Sequence, residues 1–167
     1  HDHRDHGYNE AGIFARNHDC RIVAVYELCE GLHSRGVPRD RLVPGNIGGS
    51  VKIGDARITF FPAIHSSSKG IPCGFVVEKD GFSVYHAGDT ALFTDMSLLE
   101  SMFSIDLALL PIGSTYTMGP REAAKAVELI QPGLVIPMHY NTFPAIEQDP
   151  EEFRDLVGGK VEVAILR

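Results

Sequence analysis

Two tight turns organise the middle of the chain. Gly54-Asp55 and Asp80-Gly81 each stand between two short segments rich in β-branched and aromatic residues, a pattern typical of β-hairpins. The four predicted hairpin strands cover residues 50–53, 56–61, 74–78 and 82–86. The second half of the chain instead alternates strand-like and helix-like segments. Hairpins followed by such alternation predict an α/β sandwich with helices on its outer faces.

The remaining predicted elements complete one continuous domain. Helical segments are predicted over residues 9–17, 27–34, 94–102, 120–131 and 150–157, and buried strands over 21–26, 106–111, 134–138 and 161–166. The clearest helix begins at Pro120 and is stopped by Pro132. The sequence shows no repeat and no linker-like tract, so we expect a single domain over residues 1–167.

Charge and composition narrow the class of partner. The chain carries 15 basic and 22 acidic residues, for a net charge of -7, which repels phosphate backbones and anionic lipid. We therefore expect no nucleic-acid or membrane partner. Cys20, Cys29 and Cys73 are odd in number and widely spaced, which favours free thiols in the cytoplasm over disulfides or a cysteine zinc site.

Chemically reactive residues are densest at the start of the chain. The first six residues, His-Asp-His-Arg-Asp-His, form the motif H-x-H-x-D-H. Its three imidazoles and its carboxylate can converge only if the backbone turns tightly. Imidazole and carboxylate are ligands that suit Zn, Mn or Fe(II). A purification tag would show an unbroken run of histidine, so the motif predicts a metal site.

Three further candidates each follow a predicted strand, where loops meet the edge of a sheet. They are His65, Asp89 and His139. Taken singly, each is more often structural; taken together with the opening motif, they predict one shared metal centre. Gly88 indicates a close backbone approach beside Asp89. Strand alternation turns His86 away from this centre, and we expect that ring to pack or to support a ligand.

These motifs, in this order, resemble the metallo-β-lactamase superfamily. The surrounding sequences are similar to a prokaryotic branch of metal-dependent hydrolases that is related to sugar-phosphate lactonases. They read Pro-Ala-Ile-His-Ser-Ser-Ser, Tyr-His-Ala-Gly-Asp-Thr, Leu-Pro-Ile-Gly, Thr-Met-Gly-Pro and Ile-Pro-Met-His-Tyr-Asn-Thr-Phe-Pro. The resemblance implies an αββα sandwich. It also implies several dozen residues before His1, so we expect the chain to be incomplete at its N-terminus, as a natural fragment or a processed product.

The resemblance further implies how the side chains divide between two divalent ions, with Zn favoured and Mn or Fe as alternatives. His1, His3 and His65 would bind the first ion, Asp5, His6 and His139 the second, and Asp89 would bridge both. Asp5 and Asp89 are the expected catalytic residues. The expected substrate-binding residues are Ser66, Tyr140 and Asn141.

The implied activity is hydrolysis of an ester, lactone or phosphoester by a metal-bridging hydroxide. Two alternatives stay open, a di-iron redox enzyme and a non-catalytic metal-binding or oligomerising module. The expected partner is a small-molecule substrate, which can be anionic. Self-association and the missing N-terminal segment acting as a separate chain are the two further partner hypotheses.

Overall fold

A computed structural model describes residues 1–166, which form nine strands and five α-helices. The helices are α1 (Tyr8–Asn17), α2 (Tyr26–Ser34), α3 (Ser97–Met102), α4 (Pro120–Ile130) and α5 (Pro150–Val157). The strands are β1 (Ile22–Val25), β2 (Leu42–Gly45), β3 (Ser50–Ile53), β4 (Ala56–Pro62), β5 (Cys73–Lys79), β6 (Phe82–His86), β7 (Leu107–Pro111), β8 (Leu134–Met138) and β9 (Glu162–Val163). Within this part of the chain, no helix has the length and apolar character needed to cross a bilayer.

Strands β3 to β9 form one sheet whose strand order follows the chain order. The first four are antiparallel neighbours, and the two predicted hairpins join β3 to β4 and β5 to β6. From β6 onward the neighbours are parallel. Strands β1 and β2 form a separate parallel pair. The predicted hairpins and the later strand–helix alternation are therefore confirmed.

Both faces of the large sheet are covered. Neighbouring residues of a strand point to opposite faces, so they pack in different clusters. Phe60 packs with α1, α2 and β1, whereas Phe61 packs with the helices of the second half. The second cluster is the larger one and is closed by fully buried side chains such as Ile130 of α4 and Phe153 of α5. Helices thus lie on the outer faces, which confirms the predicted α/β sandwich of the αββα type.

Strand direction determines where a site can form. Because β4 is antiparallel to β5 and β5 is antiparallel to β6, β4 runs in the same direction as β6. Strands β7 and β8 are parallel to β6. The carboxyl ends of β4, β6, β7 and β8 therefore meet at one edge of the sheet, and the loops that follow them come together there.

Strand β2 is absent from the elements that the sequence predicts. Its sequence, Leu-Val-Pro-Gly, contains two residue types that usually interrupt strands. Pro44 is tolerated because β2 pairs with β1 alone. Gly45 is required by packing, since a Cβ at this position would lie 2.2 Å from the Cε2 atom of Phe60.

Most predicted boundaries agree with the structure to within one residue, and three elements differ in a way that has a structural explanation. The last strand, predicted over 161–166, is only Glu162–Val163, with Ala164 donating its N–H to the carbonyl of Val135. Val135 thus directs its backbone groups toward β9. Pro137, two residues later, faces the same strand but has no N–H, so it cannot extend the ladder. Tyr26 begins α2 rather than ending β1. The helix predicted over 94–102 is a 3-10 turn, Thr94–Met96, followed by α3.

Candidate metal centre

The opening motif forms the tight turn that its ligands require. Arg4–His6 is a single 3-10 turn, in which the N–H of His6 donates to the carbonyl of His3 at 3.2 Å. Gly7 follows in the left-handed conformation (φ 65°), which L side chains rarely adopt, and α1 begins immediately after it. The turn therefore brings the imidazoles of the motif toward one side of the chain.

The three later candidates reach the same place from the sheet. His65, Asp89 and His139 follow β4, β6 and β8, whose carboxyl ends share one edge. The structure brings all seven predicted metal ligands together in two groups: His1, His3 and His65, and Asp5, His6, Asp89 and His139. In each group the atoms that could bind an ion lie within 4.8 Å of one another.

Asp89 lies between the two groups. Its Oδ2 atom is 2.9 Å from Nε2 of His6 and 3.3 Å from Nε2 of His139. The same oxygen is 3.8 Å from Nε2 of His1 and 3.7 Å from Nε2 of His65. The side chain is only 4% exposed. A single buried carboxylate therefore faces imidazoles from both groups.

Several of these buried atoms have no hydrogen-bond partner among the described residues. They are Nε2 of His1, Nε2 of His6, Nδ1 of His139 and Oδ1 of Asp89. Nε2 of His6 is close to Asp89, at 2.9 Å from Oδ2, but the pair does not have the geometry of a hydrogen bond. Buried polar atoms are almost always paired in folded proteins, so unpaired ring nitrogens and carboxylate oxygens facing one another indicate residues that can hold a cation. The donor set fits a first-row divalent metal ion.

Electrostatics favour the protonation states of Asp89 and His65 that bind a cation. Burial of the carboxyl group raises the pKa of Asp89, but the imidazoles of His6, His139 and His65 outweigh this and hold it below its ordinary value. Burial lowers the pKa of His65, and the nearby Asp89 carboxylate offsets this only in part. An ionised carboxylate and neutral imidazoles are the forms that bind metal.

The loop that carries Asp89 is held by three contacts. Gly88 has φ 63°, and a Cβ there would lie 3.0 Å from the carbonyl oxygen of Cys73, so the predicted close approach is confirmed. Thr90, which is fully buried, accepts the N–H of Ile64 on its Oγ1 at 3.0 Å. His86 accepts the N–H of Gly88 on its Nδ1 at 3.1 Å. Its side chain is exposed, so of the two expected roles of His86 the bond fits support of the loop that carries a ligand, and not packing.

The loop that carries His139 is under backbone strain. His139 and Asn141 both have positive φ, 54° and 59°. Gly113 after β7 packs so closely that a Cβ would lie 2.4 Å from the carbonyl oxygen of His139. Asn141 accepts the N–H of Gln148 on its Oδ1 at 2.8 Å, which shapes the loop and leaves its amide nitrogen free. Tyr140 packs partly against the larger core cluster. Substrate contacts of Tyr140 and Asn141 stay predictions.

The triple serine after His65 contacts the opening motif. Ser67 and Ser68 donate hydrogen bonds to the carboxylate of Asp2, whereas Ser66, the predicted substrate contact, is exposed. These bonds, from Ser68 above all, hold the pKa of Asp2 well below its usual range. Sequence reasoning missed Asp2 and Thr90. The only available signal was the position of each, directly beside residues predicted to bind metal.

Comparison with known proteins assigns this chain to a family. The family described as the Beta-lactamase superfamily domain matches residues 1–140. The chain belongs to the metallo-β-lactamase superfamily. The structure of Igni18, a metallo hydrolase from the hyperthermophilic archaeon Ignicoccus hospitalis, matches with a TM-score of 0.91 and 38% sequence identity, covering 100% of this chain and 73% of that one.

Two sequence relatives within the superfamily bear the name UPF0173 metal-dependent hydrolase. The protein from Pyrobaculum arsenaticum is 52% identical over 155 residues, which is 92% of this chain and 68% of the relative. The protein from Thermofilum pendens is 50% identical over 169 residues, which is 100% of this chain and 72% of the relative.

Proposed function

We propose that the protein is a metal-dependent hydrolase with two divalent ions at the edge of its sheet. His1, His3 and His65 would hold one ion, Asp5, His6 and His139 the other, and Asp89 both. The observation that carries this proposal is the set of buried, unpaired ligand atoms around Asp89. The relatives named metal-dependent hydrolases support the reaction class.

Solvent exposure indicates the side from which a substrate reaches the centre. The side chain of His1 is 2% exposed and that of Asp89 4%, whereas that of Asp5 is 47% exposed. A substrate therefore approaches past Asp5, and the buried side chains of the centre are reached last. Ser66 and Asn141 are also exposed, and we propose that they contact the substrate together with Tyr140.

The chain's own groups have defined tasks in this hydrolysis. Bound divalent ions supply Lewis acidity and lower the pKa of a water molecule toward neutrality. Asp5 directs its Oδ2 atom to Nε2 of His139 at 3.3 Å, which leaves Oδ1 to accept a proton from the attacking water. The same atom then returns the proton to the leaving group. Asp89 stays ionised because nearby imidazoles lower the pKa of its carboxyl group.

The proposed chemistry suits a substrate with an electrophilic carbonyl or phosphoryl centre. We propose a small ester, lactone or phosphoester. The net charge of -7 is an average over the surface, and a cleft that holds two divalent ions still attracts an anionic substrate. We place the enzyme in the cytoplasm, on the basis of its three free cysteines.

The experiment that tests the proposal combines elemental analysis with a substrate panel. We expect about two Zn, Mn or Fe ions per chain and hydrolysis of p-nitrophenyl esters, lactones or p-nitrophenyl phosphate, lost with chelator and restored by metal. Two ions without turnover on any of these would instead favour a non-catalytic metal-binding module. Bound iron with flavin-dependent turnover would favour a di-iron redox enzyme. No bound metal would overturn the proposal.

A further inference from the structure

Asp2 joins the two chain segments that supply the first group of ligands. It stands between His1 and His3, and its carboxylate turns toward the loop after His65. The backbone N–H of Ser68 donates to Oδ1 of Asp2 at 3.0 Å. The hydroxyl of Ser67 has a single proton, which it shares between the same Oδ1 at 2.9 Å and the carbonyl of Lys69 at 2.7 Å. The hydroxyl of Ser68 donates to Oδ2.

The hydrogen bonds to Asp2 are strong because their acceptor is charged. Each joins a neutral donor to an ionised carboxylate, and such charge-assisted bonds are about twice as strong as neutral ones. One donor is a backbone N–H, which restrains the main chain of the loop at Ser68 as well as its side chain. Together these bonds connect the opening segment to the loop 65–69.

The first group of ligands depends on that connection. His1 and His3 come from the opening segment, while His65 comes from the end of β4. Their rings meet without hydrogen bonds, at centroid distances of 4.8 Å between His1 and His65 and 5.2 Å between His3 and His65. Packing of rings alone leaves the ring nitrogens free to shift, whereas a bound ion requires them within a few tenths of an ångström.

We propose that Asp2 is a positioning residue, which holds the Ser67–Ser68 loop against the opening segment so that His1, His3 and His65 face one metal ion. The inference rests on the metal centre proposed above. The second group, which contains Asp5, His6 and His139, has no contact with this carboxylate among the hydrogen bonds of the described residues. Loss of Asp2 therefore weakens one metal site and leaves the other.

The test measures metal affinity at each site in the full chain. Zn or Co(II) is titrated against a chromophoric chelator for the wild type, Asp2→Ala and Asp2→Asn, with Asp155→Ala on the exposed face of α5 as the matched control. We expect Asp2→Ala to weaken one of two sites by about 10- to 100-fold, as for other residues that orient metal ligands. Asp2→Asn keeps an oxygen for the Ser68 N–H and is expected to lose less.

Reference variants identify the weakened site. The Co(II) absorption spectrum of Asp2→Ala is expected to change in the manner of His65→Ala and not in the manner of His139→Ala. Ser68→Ala removes a partner while keeping Asp2, and we expect a smaller loss at the same site. In the double variant with Asp2→Ala, the losses are expected to be less than additive because both changes break the same contact.

Three results separate failure of this inference from failure of the proposed function. If the wild type binds two ions and both Asp2→Ala and Ser68→Ala bind them with unchanged affinity, the positioning role is overturned and the metal centre stands. Equal weakening of both sites overturns it as well, because a general loss of structure would then explain the result. If the wild type binds no ion, the proposed function fails and this inference fails with it.

Discussion

The Nε2 atom of His6 lies 2.9 Å from the Oδ2 atom of Asp89, and both side chains are largely withdrawn from solvent. His6 ends the turn of the opening motif, whereas Asp89 follows a strand in the middle of the large sheet. The contact therefore joins a locally formed cluster of ligands to the edge of the sheet. Any change that moves Asp89 is expected to separate the two groups of ligands.

Asp89→Ala removes the carboxylate that faces both groups. We expect bound metal to fall and turnover to drop by more than about 100-fold, more than the loss expected on removing a residue that only orients a ligand. The fold is expected to persist, because the change also removes a buried charge. Elemental analysis, steady-state rates and circular dichroism measure the three effects. Asp155→Ala is the control, and unchanged metal content in Asp89→Ala would disprove the bridging role.

Gly88→Ala tests the backbone approach beside Asp89. Gly88 has φ 63°, and a Cβ added there would lie 3.0 Å from the carbonyl oxygen of Cys73. Gly159 has a similar φ of 71° but nothing within 4 Å of an added Cβ. Gly88→Ala and the control Gly159→Ala both lose about 1–2 kcal/mol of folding stability, because alanine is strained in the left-handed conformation. Only Gly88→Ala is expected to lose more stability in urea and to bind less metal; equal behaviour of the pair would show that the contact is unimportant.

Tyr140→Phe separates a substrate contact from a structural one. The ring of Tyr140 packs against the larger core cluster, and this packing survives loss of the hydroxyl group. If the hydroxyl binds substrate, kcat/KM is expected to fall by up to about tenfold, the equivalent of one neutral hydrogen bond. Metal content is expected to stay at the wild-type level. A loss of bound metal would instead show that the hydroxyl supports His139.

The partly buried thiol of Cys73 predicts a loss of stability at alkaline pH. Burial raises the pKa of Cys73 to about 11. A thiol ionises more readily in the unfolded chain, so its stabilising effect is complete below its ordinary pKa, near 8.5, and is lost as pH rises toward about 11. The free energy of unfolding is expected to fall over this window, and to fall less steeply in Cys73→Ala. Parallel pH profiles for the two proteins would contradict the prediction.

Most of the fold could be predicted because its signals are local. Gly54-Asp55 and Asp80-Gly81 specify hairpin turns within a few residues, and Pro120 and Pro132 delimit α4. Strand β2 could not be predicted, because the pairing of Pro44 and Gly45 depends on β1 and on the ring of Phe60. The early end of β9 depends likewise on Pro137 in a neighbouring strand. Tertiary contacts decide such cases.

The candidate site divides in the same way. Seven site residues could be predicted from the spacing of the opening motif and from the position of His65, Asp89 and His139 after strands. The structure places these seven residues together. The contact of Asp2 with Ser68 could not be predicted, because the two residues are far apart in the chain and no local sequence pattern indicates it. The role of the buried Thr90 could not be predicted either, because its partner Ile64 belongs to another loop.

The compactness of the opening motif has a consequence for the unfolded protein. Three imidazoles and a carboxylate lie within six consecutive residues, so they remain neighbours when the sheet is lost. A denatured chain therefore keeps a weak chelating segment of its own. A ligand stabilises the native state only through its preference for that state over the denatured one. Added metal is accordingly expected to raise the melting temperature by less than the affinity of the folded centre alone implies.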